Sequence, residues 1–170
     1  MSIDKIIKDR YSVRDFSNKK VSKEIVAEIL EIARFSPTAL NNQPYFIYVV
    51  QSEESLVSIK NSLAPDYNAT TILVICSDQN NGWKNRYSGQ DNILQDIGIV
   101  LSTILYVSKS KGVDSCCVCN FNPELLQREL NLPQNLKPEC LIYLGYPNKN
   151  GTPSERHYRR RDLSDFVKYV

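Results

Sequence analysis

Apolar residues recur at two periods along this chain, and the switches between them lay out its elements. Ile3, Ile6 and Ile7 share one helical face behind Ser2, whose hydroxyl can accept from a free N–H of the first turn, so a short helix is expected to deliver Arg10 to its C-terminal end. A second helix is expected from the Ser22 cap, with Val21 and Val26 as a hydrophobic staple, Ile25, Ile29, Leu30 and Ala33 turned inward, and Pro37 as the stop. Tyr45 to Val50 is an unbroken apolar run and reads as a buried strand. Helical spacing returns at Leu56, Ile59 and Leu63, within Glu53 to Leu63, before a second strand from Thr70 to Cys76.

Beyond an Asn- and Gly-rich stretch, Asp78 to Gln90, which contains the only tryptophan and reads as a loop over a site, the spacing is again helical. Ile93, Leu94, Ile97, Val100, Leu101, Ile104 and Leu105 make this helix apolar around much of its circumference, which places it in the core or in a subunit interface. Gly112 serves as its stop. Ser115 to Phe121 reads as a third strand, Asn122 and Pro123 as the N-cap and first position of a helix reaching Leu130, and Glu139 to Tyr146 as a fourth strand. Strands and helices mix without strict alternation, which predicts an α+β fold, and 170 residues suit one domain spanning 1–170.

Composition narrows the classes of function. Hydrophobic residues make up 42% and charged residues 24%, values of a folded globular chain, and a net charge of +2 is too small to imply nucleic acid. The longest apolar run, Ile97 to Val107, is interrupted by polar residues and falls short of the ~20 positions that span a bilayer. Met1 to Lys5 has no apolar stretch of the export type; a cytoplasmic location, no membrane partner and reduced thiols are expected. The run Cys116-Cys117-Val118-Cys119 lacks the paired spacing of a zinc ribbon, and the single histidine, His157, is distant in sequence. A core strand is the better reading, and no metal is expected.

Four clusters carry candidate chemistry. Arg10 and Arg14 bracket Ser12, so two guanidinium forks and a hydroxyl can converge on a phosphate, although the same residues also suit a solvated basic turn. The loop Pro37-Thr38-Ala39-Leu40-Asn41-Asn42-Gln43-Pro44 offers the amides of Asn41 and Gln43 as paired donors and acceptors, or serves only as a connection. Arg156, Arg159, Arg160 and Arg161 crowd the tail, a patch too short to indicate RNA binding. Trp83, Lys84, Arg86 and Tyr87 suit either an ordinary loop or the wall of a substrate pocket.

The motifs Arg10-x-Ser12-x-Arg14-x-Phe16 and Pro37 to Pro44, in this order and separated by one amphipathic helix, resemble the nitroreductase family of flavin enzymes. The likeness extends through the apolar helix, Lys111-Gly112-Val113-Asp114-Ser115, Leu132-Pro133, Leu144-Gly145-Tyr146-Pro147 and the Arg-rich tail. It implies a central, mostly antiparallel sheet flanked by helices, and a homodimer binding flavin mononucleotide (FMN) at the subunit interface. Arg10 and Ser12 would hold the phosphate and ribityl chain, with Arg160 and Arg159 or Arg161 on the phosphate. Arg14 would lie at the pyrimidine edge of the ring, where a fixed cation favours the reduced, anionic state. Pro37, Thr38, Ala39, Asn41 and Gln43 would reach the flavin of the opposite subunit, and Cys119 and Asn120 would lie near its hydride-accepting atom. Ala39 and Asn120 are departures from the family pattern.

The implied activity is ping-pong hydride transfer from NAD(P)H to a small-molecule acceptor such as a nitroaromatic or quinone, with no catalytic side chain. The tail, about 152–170, would pack on the partner. Other reactions on the same scaffold stay open at this point: dehalogenation, flavin fragmentation, dehydrogenation, or a catalytically silent flavin-binding role.

Overall fold

The computed structural model describes residues 2–63, 65–149 and 151–170. Four antiparallel strands form one sheet in the order β1-β2-β4-β3: β1 is Tyr45–Val50, β2 Thr71–Asp78, β3 Asp114–Val118 and β4 Leu136–Gly145. Five helices surround it: α1 Ile3–Asp9, α2 Lys23–Ala33, α3 Glu53–Ile59, α4 Ile93–Ser110 and α5 Pro123–Glu129. The α+β class expected from the mixed element order is what the chain adopts.

Successive side chains of a strand point to opposite faces, so each central strand feeds two cores. Leu73 and Ile75 of β2 with Ile142 and Leu144 of β4 meet Val26, Ile29 and Ala33 of α2 and Ile97, Val100 and Ile104 of α4. Ile72, Val74, Leu141 and Tyr143 meet Val13, Phe16, Ile59 and Leu126 on the other face. A strand buried on both faces has no polar alternation, which is why β2 reads as one apolar run.

The caps follow the sequence closely. Ser2, Ser22 and Asn122 each accept from a first-turn N–H, of Lys5, Ile25 and Leu125 respectively. At the end of α4, Gly112 takes φ +74°; its N–H donates to Lys109 O (3.1 Å) and that of Val113 to Ser108 O (2.9 Å), the paired bonds of a left-handed helix stop.

Several boundaries and burials differ from expectation. The first strand is at the sheet edge, with a neighbour on one side only, so Phe46 and Val49 remain exposed. Only Ile6 of α1 is buried, while Ile3 and Ile7 face outward. The third helix turns into a 3-10 turn at Lys60–Ser62 instead of continuing to Leu63. The third strand stops at Val118, three residues early, because Asn122 must leave the ladder to cap α5; β4 begins three residues early and includes Pro138. Among the described residues α4 is the one helix with the length, 18 residues, and mean hydropathy, 1.2, to cross a membrane. Its Ile97, Val100 and Ile104 lie in the core beside the sheet.

Candidate functional site

Residues 10–14 leave α1 without helical structure, beginning with an extended Arg10, and run along the edge of the sheet. Val13 and Phe16 are buried in the core. Ser12 forms a parallel bridge with Ser115 on the outer edge of β3, and Val13 N–H donates to Ser115 O at 3.1 Å. Phe16 N–H donates to Tyr67 O at 3.0 Å and Ser17 N–H to Tyr146 O at 2.9 Å, fixing the far end. Gly145 makes room for this anchor, since a Cβ there would lie 2.8 Å from Phe16 Cδ1. With Val13 and Phe16 pinned in the core, Arg10, Tyr11, Ser12 and Arg14 line one cavity wall.

The opposite wall comes from the other end of the chain. Ser154, Arg156, His157 and Arg160 complete, with Arg10, Tyr11, Ser12 and Arg14, a cavity of about 220 Å³. Tyr11 Oη donates to Gly151 O at 2.6 Å, and the His157 ring packs edge-on against Tyr11 at 6.2 Å, tying the tail to the motif. Burial, then Asp114 and Tyr158, pushes the Tyr11 phenol above its ordinary range, which keeps it protonated as that donor. Four arginines and two serines line the cavity with no carboxylate. Such a donor set suits a dianion of the phosphate type. The volume lies below the ~300–1,000 Å³ of pockets that enclose a whole ligand, so a larger molecule would be gripped by its anionic end.

Of the expected residues, Arg10, Ser12, Arg14 and Arg160 are brought together here. Arg159 and Arg161 do not line the cavity: Arg159 pairs with Glu155 at 3.3 Å, and the Arg161 guanidinium lies 5.1 Å from the Phe166 ring centroid. Tyr11, Ser154, Arg156 and His157 enter the cavity without having been marked for it. Arg156 sits on the 3-10 turn Glu155–His157 and Arg160 beyond its end in irregular chain, so no local periodicity signalled their convergence.

The Pro37 to Pro44 loop lies elsewhere on the subunit, between α2 and β1. Ala39 N–H donates to Asp96 Oδ1 in the first turn of α4 (3.0 Å), Gln43 N–H to Thr38 Oγ1 (3.0 Å), and Gln43 Nε2 to Asn41 O (3.1 Å). Leu40, Asn41 and Gln43 all have positive φ, and Leu40 is 79% exposed. Neither this loop nor Cys119 and Asn120, which lie exposed beyond β3, lines the arginine cavity. The Trp83 segment folds back on the start of α4, with Asn92 N–H donating to Trp83 O at 3.0 Å.

Known proteins share this fold and kinship. A crystal structure of a nitroreductase family protein from Clostridium difficile 630 superposes with a TM-score of 0.92 at 32% identity, covering 99% of this chain and 98% of that one. A protein from Exiguobacterium sibiricum, solved in complex with FMN, shares the fold at a TM-score of 0.85 and 20% identity, over 100% of this chain and 98% of that one. An NADH dehydrogenase of Thermus thermophilus is 25% identical over 179 residues, 86% of this chain and 87% of that protein. The model of the nitroreductase family matches residues 7–67 and 60–146, together most of the length, and the chain belongs to that family.

Proposed function

We propose that this chain is an FMN-dependent oxidoreductase that uses NAD(P)H and acts as a homodimer. The observation that carries this reading is the convergence of Arg10, Ser12 and Arg14 with Arg156 and Arg160 on one phosphate-sized cavity. FMN, when bound, would supply the hydride chemistry for a ping-pong reaction between NAD(P)H and a nitroaromatic, quinone or similar acceptor. Arg10, Arg156, Arg160 and the Ser12 hydroxyl hold the phosphate, and Arg14 sets positive charge where reduction deposits negative charge. No side chain is assigned a proton-transfer role.

The unit is a single domain over residues 1–170, and its partner is a second copy. Phe35 is 76% exposed and Leu40 79%, and Ile32, Phe46, Leu94 and Ile99 add further exposed apolar surface from α2, β1 and α4. Apolar surface of this extent on a folded chain marks an interaction face. Dimerisation covers it, brings Pro37, Thr38, Ala39, Asn41 and Gln43 to the ring portion of the cofactor held by the opposite subunit, where Cys119 and Asn120 lie near its hydride-accepting atom, and lets the 152–170 tail pack on the partner.

The test is the visible spectrum and solution mass of purified protein supplied with FMN, followed by NADH and NADPH oxidation with a nitroaromatic acceptor. A yellow dimer with turnover is expected. Failure to take up FMN overturns the reading, and a yellow protein without turnover on any acceptor overturns its catalytic part.

A further inference from the structure

The 37–44 loop is mostly exposed, yet Leu40, Asn41 and Gln43 hold φ of +53°, +58° and +49°. Left-handed backbone is costly for a leucine or a glutamine and persists only where surrounding bonds over-determine it. Some of these bonds are internal: Asn41 N–H donates to Thr38 O and Asn42 N–H to Ala39 O, both at 3.0 Å, and Gln43 N–H donates to Thr38 Oγ1. Bonds within the loop fix its shape but not its place on the subunit. That place is set from outside. At the far end Asp78 N–H donates to Pro44 O at 2.9 Å, and Asn42 Nδ2 donates to Asn81 O at 3.2 Å. Ahead of the loop Ser36 Oγ donates to Thr103 Oγ1 at 2.8 Å, and at the start of the turn Ala39 N–H donates to Asp96 Oδ1 at 3.0 Å. Asp96 and Thr103 are seven residues apart, so one face of α4 carries both.

Asp96 is 4% exposed, and its Oδ2 is shielded from solvent with no partner among the described residues. Burying a carboxyl group with an unsatisfied oxygen costs free energy that an apolar residue in the same helical turn would not. Among the described residues, the one hydrogen bond made by this side chain goes to the loop. A favourable effect of an acidic residue on the dipole of α4 is the alternative role, and it needs the charge wherever Oδ1 points.

We propose that Asp96 is the positioning residue of this loop, holding Ala39 so that Asn41 and Gln43 are presented to the flavin ring of the opposite subunit. The assignment rests on the flavin reading above for its ligand and on the Asp96 contact for the loop. Asp96 acts through Ala39. Without that acceptor the Ala39 donor is left unpaired, and the ordered form of the loop becomes less favourable on the order of 10-fold. Apparent affinity falls with the fraction of subunits whose loop is ordered. Because the loop serves the ring and not the phosphate, FMN and riboflavin lose affinity by the same factor, unlike the response to a change in the arginine cavity.

The experiment compares the full chain with Asp96→Ala and with Asp96→Asn, which keeps an oxygen acceptor but no charge. Amide hydrogen exchange, read by NMR without flavin, is expected to be about 10-fold faster in Asp96→Ala at Asn41, Asn42 and Gln43, with β2 and β4 unchanged. These three amides bond within the loop, so they report its release and not the loss of the Asp96 contact alone. Flavin fluorescence titration of the dimer, verified by solution mass, is expected to show FMN and riboflavin weakened equally, on the order of 10-fold. Asp96→Asn is expected to bring exchange and both affinities back to within about threefold of wild type. Unchanged exchange at residues 41–43, or lost protection throughout β2 and β4, overturns the proposal. So does an Asp96→Asn that behaves as Asp96→Ala, which assigns the residue to the helix dipole. Faster exchange with unchanged flavin affinity overturns the link to the site. A wild type that takes up no flavin fails the flavin reading instead, and the exchange still decides the Asp96 contact.

Discussion

Arg160→Ala separates the arginines of the tail by what each touches. Arg160 lines the cavity, and a guanidinium about 4 Å from a phosphate charge interacts by ~4 kcal/mol at an effective dielectric of 20 and ~1 kcal/mol in bulk water. Its side chain is exposed, which places the loss in the lower half of that interval, near 1.5–2 kcal/mol, at the low end of measured values of roughly 1.5–3 for hydrogen bonds to charged groups. Affinity for FMN should then fall about 10- to 30-fold. Riboflavin, which lacks the phosphate, should change less than about twofold, because a contact made only to the phosphate cancels between the two ligands. Titration followed by quenching of flavin fluorescence gives both constants. Raising the salt should narrow the wild-type difference between FMN and riboflavin, since exposed charges are screened over about 10 Å at 0.1 M. Arg159→Ala, removing a residue held by Glu155, should change FMN affinity less than about threefold. The reasoning is refuted if Arg160→Ala weakens both flavins equally, or if Arg159→Ala proves the more costly change.

Gly145→Ala forces a methyl group against the fully buried Phe16 ring and should cost about 1–3 kcal/mol, read as a lower urea midpoint at unchanged slope; an unchanged midpoint would show that the anchor yields. Leu40→Asn keeps a residue tolerant of positive φ while removing an exposed leucine, so sedimentation should show a weaker dimer with subunit stability preserved. Asn122→Ala removes the cap of α5 and should lower stability by about 1 kcal/mol in the same denaturation assay. The Asp78 carboxyl is held below its ordinary 3.8 by hydrogen bonds from Asn135 first, and from the Asn80 N–H and Asn81. Its contribution is complete above the unfolded value and lost as pH falls through the lower folded one. Asp78→Asn should therefore flatten the acid limb of the stability curve below the ordinary carboxylate value of 3.8 and leave the neutral limb's slope unchanged.

Short-range physics made much of the fold legible. Ser2, Ser22 and Asn122 cap helices by hydrogen bonds to residues three positions away, and Gly112 ends α4 because a left-handed residue is needed there. These are contacts within one turn, so neighbouring residue types are enough to indicate them. Strand ends were less legible, since β3 stops where Asn122 is required elsewhere and β1 is half-exposed because it occupies an edge, a fact about sheet order that residues 45–50 do not contain.

By itself the sequence determined the class of fold and the arginine–serine motif, which rest on periods and spacings within a few residues, and pointed to the family through the resemblance of its motifs and their order. Only the tertiary structure chose among the tail arginines, sending Arg156 and Arg160 to the cavity, Arg159 to Glu155 and Arg161 to Phe166. It also brought His157 onto Tyr11. The physical reason is one of range: caps, turns and periodicity are settled by near neighbours, whereas a guanidinium's partner depends on chain segments that meet only after the sheet has closed its register.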